Sequence, residues 1–206
     1  MKYVADLHLH SKFSRAVSQE MNLETMAKYA NLKGLDILST GDWTHPVWIR
    51  EIKSKLIEED GLFKLKDGNQ NIRYLLSVEI SSIYSQGGKT RRVHNLVFVP
   101  SIESAEKING ELLKRGANLS SDGRPIIGLS SKNLLELVLS LDKDALFIPA
   151  HAWTPWFSLY GSNSGFDSIT ECFEDLSKYI YAVETGLSSD PEMNWRISEL
   201  DTRSIL

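Results

Sequence analysis

Short apolar, β-branched runs recur along the chain, separated by stretches whose apolar residues have helical spacing. That alternation, more than any other feature, limits the fold. It is the pattern of βα units around a mainly parallel sheet. At least six strands are predicted, over Tyr3 to His8, Leu35 to Thr40, Ile72 to Glu79, Arg92 to Pro100, Ala145 to Ala150 and Ile180 to Glu184. Helices are predicted over Leu23 to Leu32, Ile49 to Glu59, Ser101 to Arg115, Ser131 to Leu141 and Asp167 to Lys178, with Asn22, Ser101, Ser130 and Asp167 as caps. The longer connections Asp60 to Asn71 and Asn118 to Leu129 read as surface loops or small hairpins. No internal repeat or composition shift marks a boundary, so residues 1–206 are expected to form one domain.

Composition removes some functions without choosing one. A formal net charge of −4 argues against a surface that grips nucleic acid throughout, because non-specific binding is driven by Lys and Arg displacing counterions. A local site is still allowed, since bound divalent cations would add positive charge where a phosphate docks. The single cysteine, Cys172, cannot form an intramolecular disulfide and fits a reducing, cytoplasmic setting. No apolar run approaches membrane-spanning length, so no membrane partner is expected.

The first strand ends in Asp6-Leu7-His8-Leu9-His10-Ser11, and alternation along a strand puts Asp6, His8 and His10 on one face. Two imidazoles and a carboxylate converging on one place suit zinc, manganese or iron. Alone, His-x-His also fits a hydrogen-bonded surface pair. The other acids and histidines fall at strand ends as well: Asp42 after the second, Glu79 ending the third, His94 in the fourth, His151 after the fifth and Glu184 ending the sixth. In an α/β barrel the C-terminal strand ends share one rim, where sites are built. Taken singly, His94 could be a core histidine, Glu79 a strand-end acid and Asp42 a turn residue or helix cap; jointly these readings lose force. His45 reads as a substrate contact or a plain loop residue. Trp43, Trp48, Trp153 and Trp156 lie next to the proposed site residues, either as loop packing or as an aromatic wall for a nucleobase or sugar. Lys89, Arg91 and Arg92 read as a solvated charged hairpin or as contacts to a DNA backbone.

Asp-Leu-His-Leu-His-Ser resembles the first motif of the PHP family of metal-dependent phosphoesterases, and Thr40-Gly41-Asp42, Glu79, His94 and His151 follow in family order. Within that family, His8 to Ala16, Ser39 to Pro46, Pro149 to Trp156, Arg92 to Asn95 and Glu184 to Asp190 look most like endonuclease Q and its bacterial relatives. The resemblance implies a distorted, TIM-like (βα)7 barrel of α/β class, with its seventh strand cut short at Leu206. The family's final Asp-x-His would fall beyond that residue, leaving the site incomplete. Two or three divalent ions are implied, zinc first, with manganese, iron or magnesium as alternatives. His8, His10 and Glu79 would hold one ion and Glu79, His94 and His151 a second. Asp42 stands where the family usually has histidine, and would complete a third site or orient water. Arg15, where many members have an acid or histidine, would meet a phosphate, with His45, Trp153 and Arg92 as further substrate contacts. Asp42, Glu79 and Arg15 are the implied catalytic residues.

The implied activity is hydrolysis of a phosphodiester, by a DNA-repair endonuclease nicking 5′ of deaminated or abasic nucleotides, with damaged DNA as the partner. A small-molecule phosphatase of histidinol-phosphate type and a non-catalytic metal-binding scaffold are the alternatives. The oligomeric state is left open.

Overall fold

The computed structural model describes residues 2–67 and 71–206. The chain forms two compact units, one from residues 1–79 with 98–125 and one from residues 80–97 with 126–206. Its strands are β1 (Ala5–Asp6), β2 (Ile37–Ser39), β3 (Leu56–Glu59), β4 (Leu62–Leu65), β5 (Arg73–Gln86), β6 (Lys89–Val99), β7 (Ile126–Ile127), β8 (Leu146–Pro149), β9 (Ala182–Val183) and β10 (Ser204–Ile205). The α-helices are α1 (Leu23–Lys33), α2 (Pro46–Lys55), α3 (Ile102–Lys114), α4 (Ser131–Leu141), α5 (Ile169–Phe173) and α6 (Pro191–Trp195).

In the first unit the strand order is β1-β2-β5-β4-β3. β2 runs parallel to β1 and to β5, with Leu38 opposite Asp6 and Tyr74. α1 begins where the Asn22 side chain accepts the Thr25 N–H at 2.9 Å, and it buries Leu23, Met26, Ala27 and Ala30. α3 begins where Ser101 accepts the Ser104 N–H at 3.1 Å.

In the second unit, β5 pairs with β7, and β6 pairs with β8. β10 runs parallel to β9, and just past β9 the Glu184 N–H donates to Pro149 O at 3.0 Å. The Ser130 side chain caps α4 by accepting the Asn133 N–H at 3.1 Å.

Some predicted elements change character. The α2 helix starts three residues earlier than the apolar spacing indicates, at Pro46, and stops at Lys55. Residues 56–59 are instead β3, paired antiparallel with β4 across a turn in which Asp60 and Gly61 both have positive φ. Leu56-Ile57-Glu58-Glu59 is too short for its period to tell helix from strand, and the turn decides. β5 continues to Gln86, and Gly87 and Gly88, at φ 61° and 73°, turn it into β6. Two-residue connections join antiparallel strands, so this pair departs from the parallel expectation. The helix predicted over Asp167 to Lys178 is only α5, capped by Ser168 and not Asp167. Glu174, at φ 51°, breaks it into a 3-10 turn over Glu174–Tyr179.

Candidate metal centre

In the first unit, β1 covers only Ala5–Asp6, so no strand ladder holds His8 and His10. Packing against the ends of β2 and β5 does this instead. Leu9 N–H donates to Ser39 Oγ at 3.0 Å, and Gly41 N–H donates to Ser77 Oγ at 3.0 Å. Gly41 has φ 61°, and a Cβ there would lie 2.3 Å from Leu9 O, so only glycine lets the two segments approach this closely.

The His8 and His10 rings meet edge to face, 5.1 Å between centroids. His8 Nε2 lies 3.6 Å from Glu79 Oε1, and His10 Nε2 lies 3.5 Å from Glu79 Oε2. These separations are long for hydrogen bonds. Two ligands on one tetrahedral zinc, at bond lengths near 2.1 Å, would stand roughly 3.4 Å apart. One ligand atom from each of His8, His10 and Glu79 lies within 4.8 Å of the others. The donor set is two imidazoles and a carboxylate, partly open at the histidines and buried at the glutamate. It fits a divalent ion of borderline softness.

Asp42 is fully buried beneath this group. Its Oδ1 lies 3.1 Å from His10 Nδ1, and its Oδ2 accepts from Ser11 N–H at 2.6 Å, Ser11 Oγ–H at 2.7 Å and Ser14 Oγ–H at 2.8 Å. Asp42 itself has φ 52°, a left-handed conformation uncommon outside glycine. Ser11, Ser14 and Gly123 escape a sequence reading because nothing in their spacing ties them to Asp42.

Arg15 extends into solvent, its side chain 83% exposed and its Nε 3.9 Å from Asp122. Its backbone is pinned: Arg15 N–H donates to Asp122 at 3.3 Å, and Arg124 donates to Arg15 O at 3.0 Å. His45 is buried and stacks on Phe13 with centroids 4.4 Å apart. Burial lowers its pKa, opposed by the Ser120 backbone and the carboxylates of Asp42 and Asp122. Trp43 and Trp48 have no exposed surface, and Trp48 Nε1–H donates to Gly41 O at 2.9 Å, so both are packing residues.

In the second unit, His94 Nδ1 and His151 Nε2 lie 3.3 Å apart. The other ring nitrogen of His151 is 3.1 Å from Thr154 Oγ1. His151 has φ 29° and is held there by its N–H, which donates to Glu184 Oε2 at 2.8 Å. The second-unit histidines thus also present paired imidazole nitrogens. The Arg92 guanidinium lies over Trp156, 4.9 Å from the ring centroid. Trp153 is turned to the protein: its Nε1–H donates to Asn194 Oδ1 at 2.7 Å, and its ring packs on Tyr160.

Among the described residues, no helix is long and apolar enough to cross a membrane. No protein-family model matches the chain. It is 37% identical over 150 residues to the uncharacterized protein MJ0043 of Methanocaldococcus jannaschii, covering 73% of this chain and 16% of that one. It is 33% identical over 218 residues to the uncharacterized protein YqxK of Bacillus subtilis, covering 97% of this chain and 52% of that one. Among solved structures, the lesion-specific endonuclease Q of Pyrococcus furiosus matches with a TM-score of 0.84 and 30% identity, over 99% of this chain and 47% of that one. An endonuclease Q bound to a 27-mer duplex with an abasic lesion at its active site matches with the same TM-score, 32% identity and the same coverage. A protein of Bifidobacterium adolescentis provisionally assigned as a metal-dependent phosphoesterase shares the fold at a TM-score of 0.52 and 13% identity, over 97% of this chain and 83% of that one. The chain is therefore similar throughout its length to endonuclease Q, while spanning about half of that enzyme.

Proposed function

We propose that this chain is the metal-binding part of a metal-dependent phosphodiester hydrolase, a DNA-repair endonuclease that nicks DNA 5′ of deaminated or abasic nucleotides. The observation that carries the reading is the gathering of His8, His10 and Glu79 ligand atoms within 4.8 Å. The similarity to endonuclease Q over 99% of the chain supports the substrate class; a PHP-type, TIM-like barrel is the architecture proposed with it, in keeping with the α/β fold shared with the Bifidobacterium protein.

In this proposal His8, His10 and Glu79 would hold one ion, and His94 and His151 would supply imidazole ligands for a second. Zinc is the first choice, with manganese, iron and magnesium as alternatives. Bound divalent ions supply Lewis acidity for the phosphate and acidify water, so no nucleophilic side chain is required. Arg15 and Arg92 receive backbone phosphates, while His45, buried against Phe13, and Trp153, hydrogen-bonded to Asn194, support the loops beside the substrate from the protein side. The single cysteine, Cys172, is buried, in keeping with a cytoplasmic setting.

The test begins with metal content. Purified protein is compared with His8→Ala/His10→Ala by elemental analysis, and duplexes carrying deoxyuridine, deoxyinosine or an abasic site are then assayed for nicking. Bound metal that falls in the double variant, with a nick 5′ of the lesion, is the expected result. Phosphate release from small esters without nicking would favour a histidinol-phosphate-type phosphatase. Metal binding without any hydrolysis, including by a longer chain, would favour a scaffold.

A further inference from the structure

Asp42 stands where the sequence resemblance leaves room for a third metal ligand, yet its carboxylate is already committed. Oδ1 faces His10 Nδ1 at 3.1 Å, and Oδ2 takes three donors, from Ser11 N–H, Ser11 Oγ and Ser14 Oγ, at 2.6 to 2.8 Å. A carboxylate offers about four lone-pair sites, two on each oxygen, so the three donors saturate Oδ2 and the His10 contact takes a site on Oδ1. The group has no exposed surface, and a Cβ built on Gly123 would meet its Cγ and Oδ2 at 2.4 Å, so backbone closes the Oδ2 side. Holding it there requires consecutive left-handed residues, Gly41 at φ 61° and Asp42 at φ 52°. Strain of this kind persists only where the surroundings enforce it, and it collects at functional sites.

We propose that Asp42 is a positioning residue that acts through His10 and is not itself a metal ligand; this rests on the metal-dependent hydrolase reading above. The carboxylate can only accept, so His10 Nδ1 must carry the proton. That leaves Nε2, 3.5 Å from Glu79, with its lone pair free for an ion. Carboxylate partners of this kind fix the tautomer and ring orientation of a ligand histidine and raise its basicity.

The chemistry of Asp42→Asn follows from the same contacts. The Ser11 main-chain N–H cannot turn away or become an acceptor, so the amide oxygen must occupy the Oδ2 position. The amide NH₂ then faces His10 Nδ1, forcing that nitrogen to accept and moving the proton to Nε2. The nitrogen meant for the ion is thereby blocked.

Two measurements on the full 206-residue chain test this. Long-range ¹⁵N–¹H spectra of the metal-free protein should show His10 as the Nδ1–H tautomer in the wild type and the Nε2–H tautomer in Asp42→Asn. Zinc and cobalt titrations should show the same number of ions per chain at saturation in both, with affinity weakened about 10- to 100-fold in the variant at unchanged fold by circular dichroism. A variant that binds one ion fewer, with the others at wild-type affinity, would make Asp42 a ligand and overturn the proposal. So would an Nε2–H tautomer in the wild type, a reading that stands even if Asp42→Asn fails to fold. A wild type that binds no metal would sink the hydrolase reading instead, while the tautomer spectra would still decide the role of Asp42.

Discussion

The main-chain N–H of His151 donates to the carboxylate of Glu184 at 2.8 Å, and the neighbouring Ala152 N–H donates to Glu184 O at 2.7 Å. One residue past β9 thus holds the turn that keeps His151 at φ 29°. Removing an acceptor from a part-buried N–H costs on the order of 1–3 kcal/mol. Glu184→Ala should therefore lower stability by about that amount in urea unfolding, whereas Glu184→Gln, which retains an acceptor oxygen, should stay close to wild type. Equal losses in the two variants would show that the His151 N–H bond is not what Glu184 contributes.

Gly123 sits against the buried Asp42 network. A Cβ there would come within 2.4 Å of Asp42 and 2.5 Å of Ser14 Oγ, and neither side chain has free space to retreat. Overpacking of this kind costs typically about 1–3 kcal/mol. Gly123→Ala should show that loss in thermal or urea unfolding, and zinc affinity should fall with it as Asp42 is pushed off His10. Unchanged stability would mean that the 118–125 segment yields more easily than its packing indicates.

Arg91 and Arg92 are neighbours in β6 with different surroundings. The Arg91 side chain is only 12% exposed; it donates to Gly165 O and to Glu171, and lies 4.0 Å over the Phe166 ring. Arg91→Ala should destabilise the second unit, by the lost packing as well as the lost charge. Arg92→Ala should leave stability near wild type and, on the proposed function, weaken DNA binding, with the salt slope of log K reduced by about 1 for one lost phosphate contact. Loss of DNA affinity from Arg91→Ala alone, at unchanged stability, would reverse these assignments.

Burial pushes the Cys172 thiol up to about 12. An unfolded thiol ionises at about 8.5, so the folded protein holds its proton over a range where the unfolded chain releases it. The associated stability is fully present below about pH 8.5 and is lost as pH rises toward 12. Stability measured between pH 8 and 11 should fall, and fall less steeply in Cys172→Ala. At pH 8 the folded protein should resist a thiol reagent that labels the unfolded chain.

Much of the fold was legible in the sequence. Helix starts at Asn22, Ser101 and Ser130 follow from side chains that satisfy amides three residues ahead, and the apolar runs placed the cores of most strands. These are local effects, carried by residues near one another in the chain. His8, His10 and Glu79 could be singled out as metal-binding types at strand ends, but their convergence, with ligand atoms within 4.8 Å, belongs to the tertiary structure. β1 is too short for strand alternation to place the histidines. Instead, Ser39, Gly41 and Ser77, from β2 and β5 and the turn between β2 and α2, bring the segments together. The role of Asp42 was decided in the same way, because a carboxylate's chemistry depends on which donors fill its lone pairs. Those donors come from residues 28 to 32 positions away, brought to it by a backbone turn that only packing holds in place.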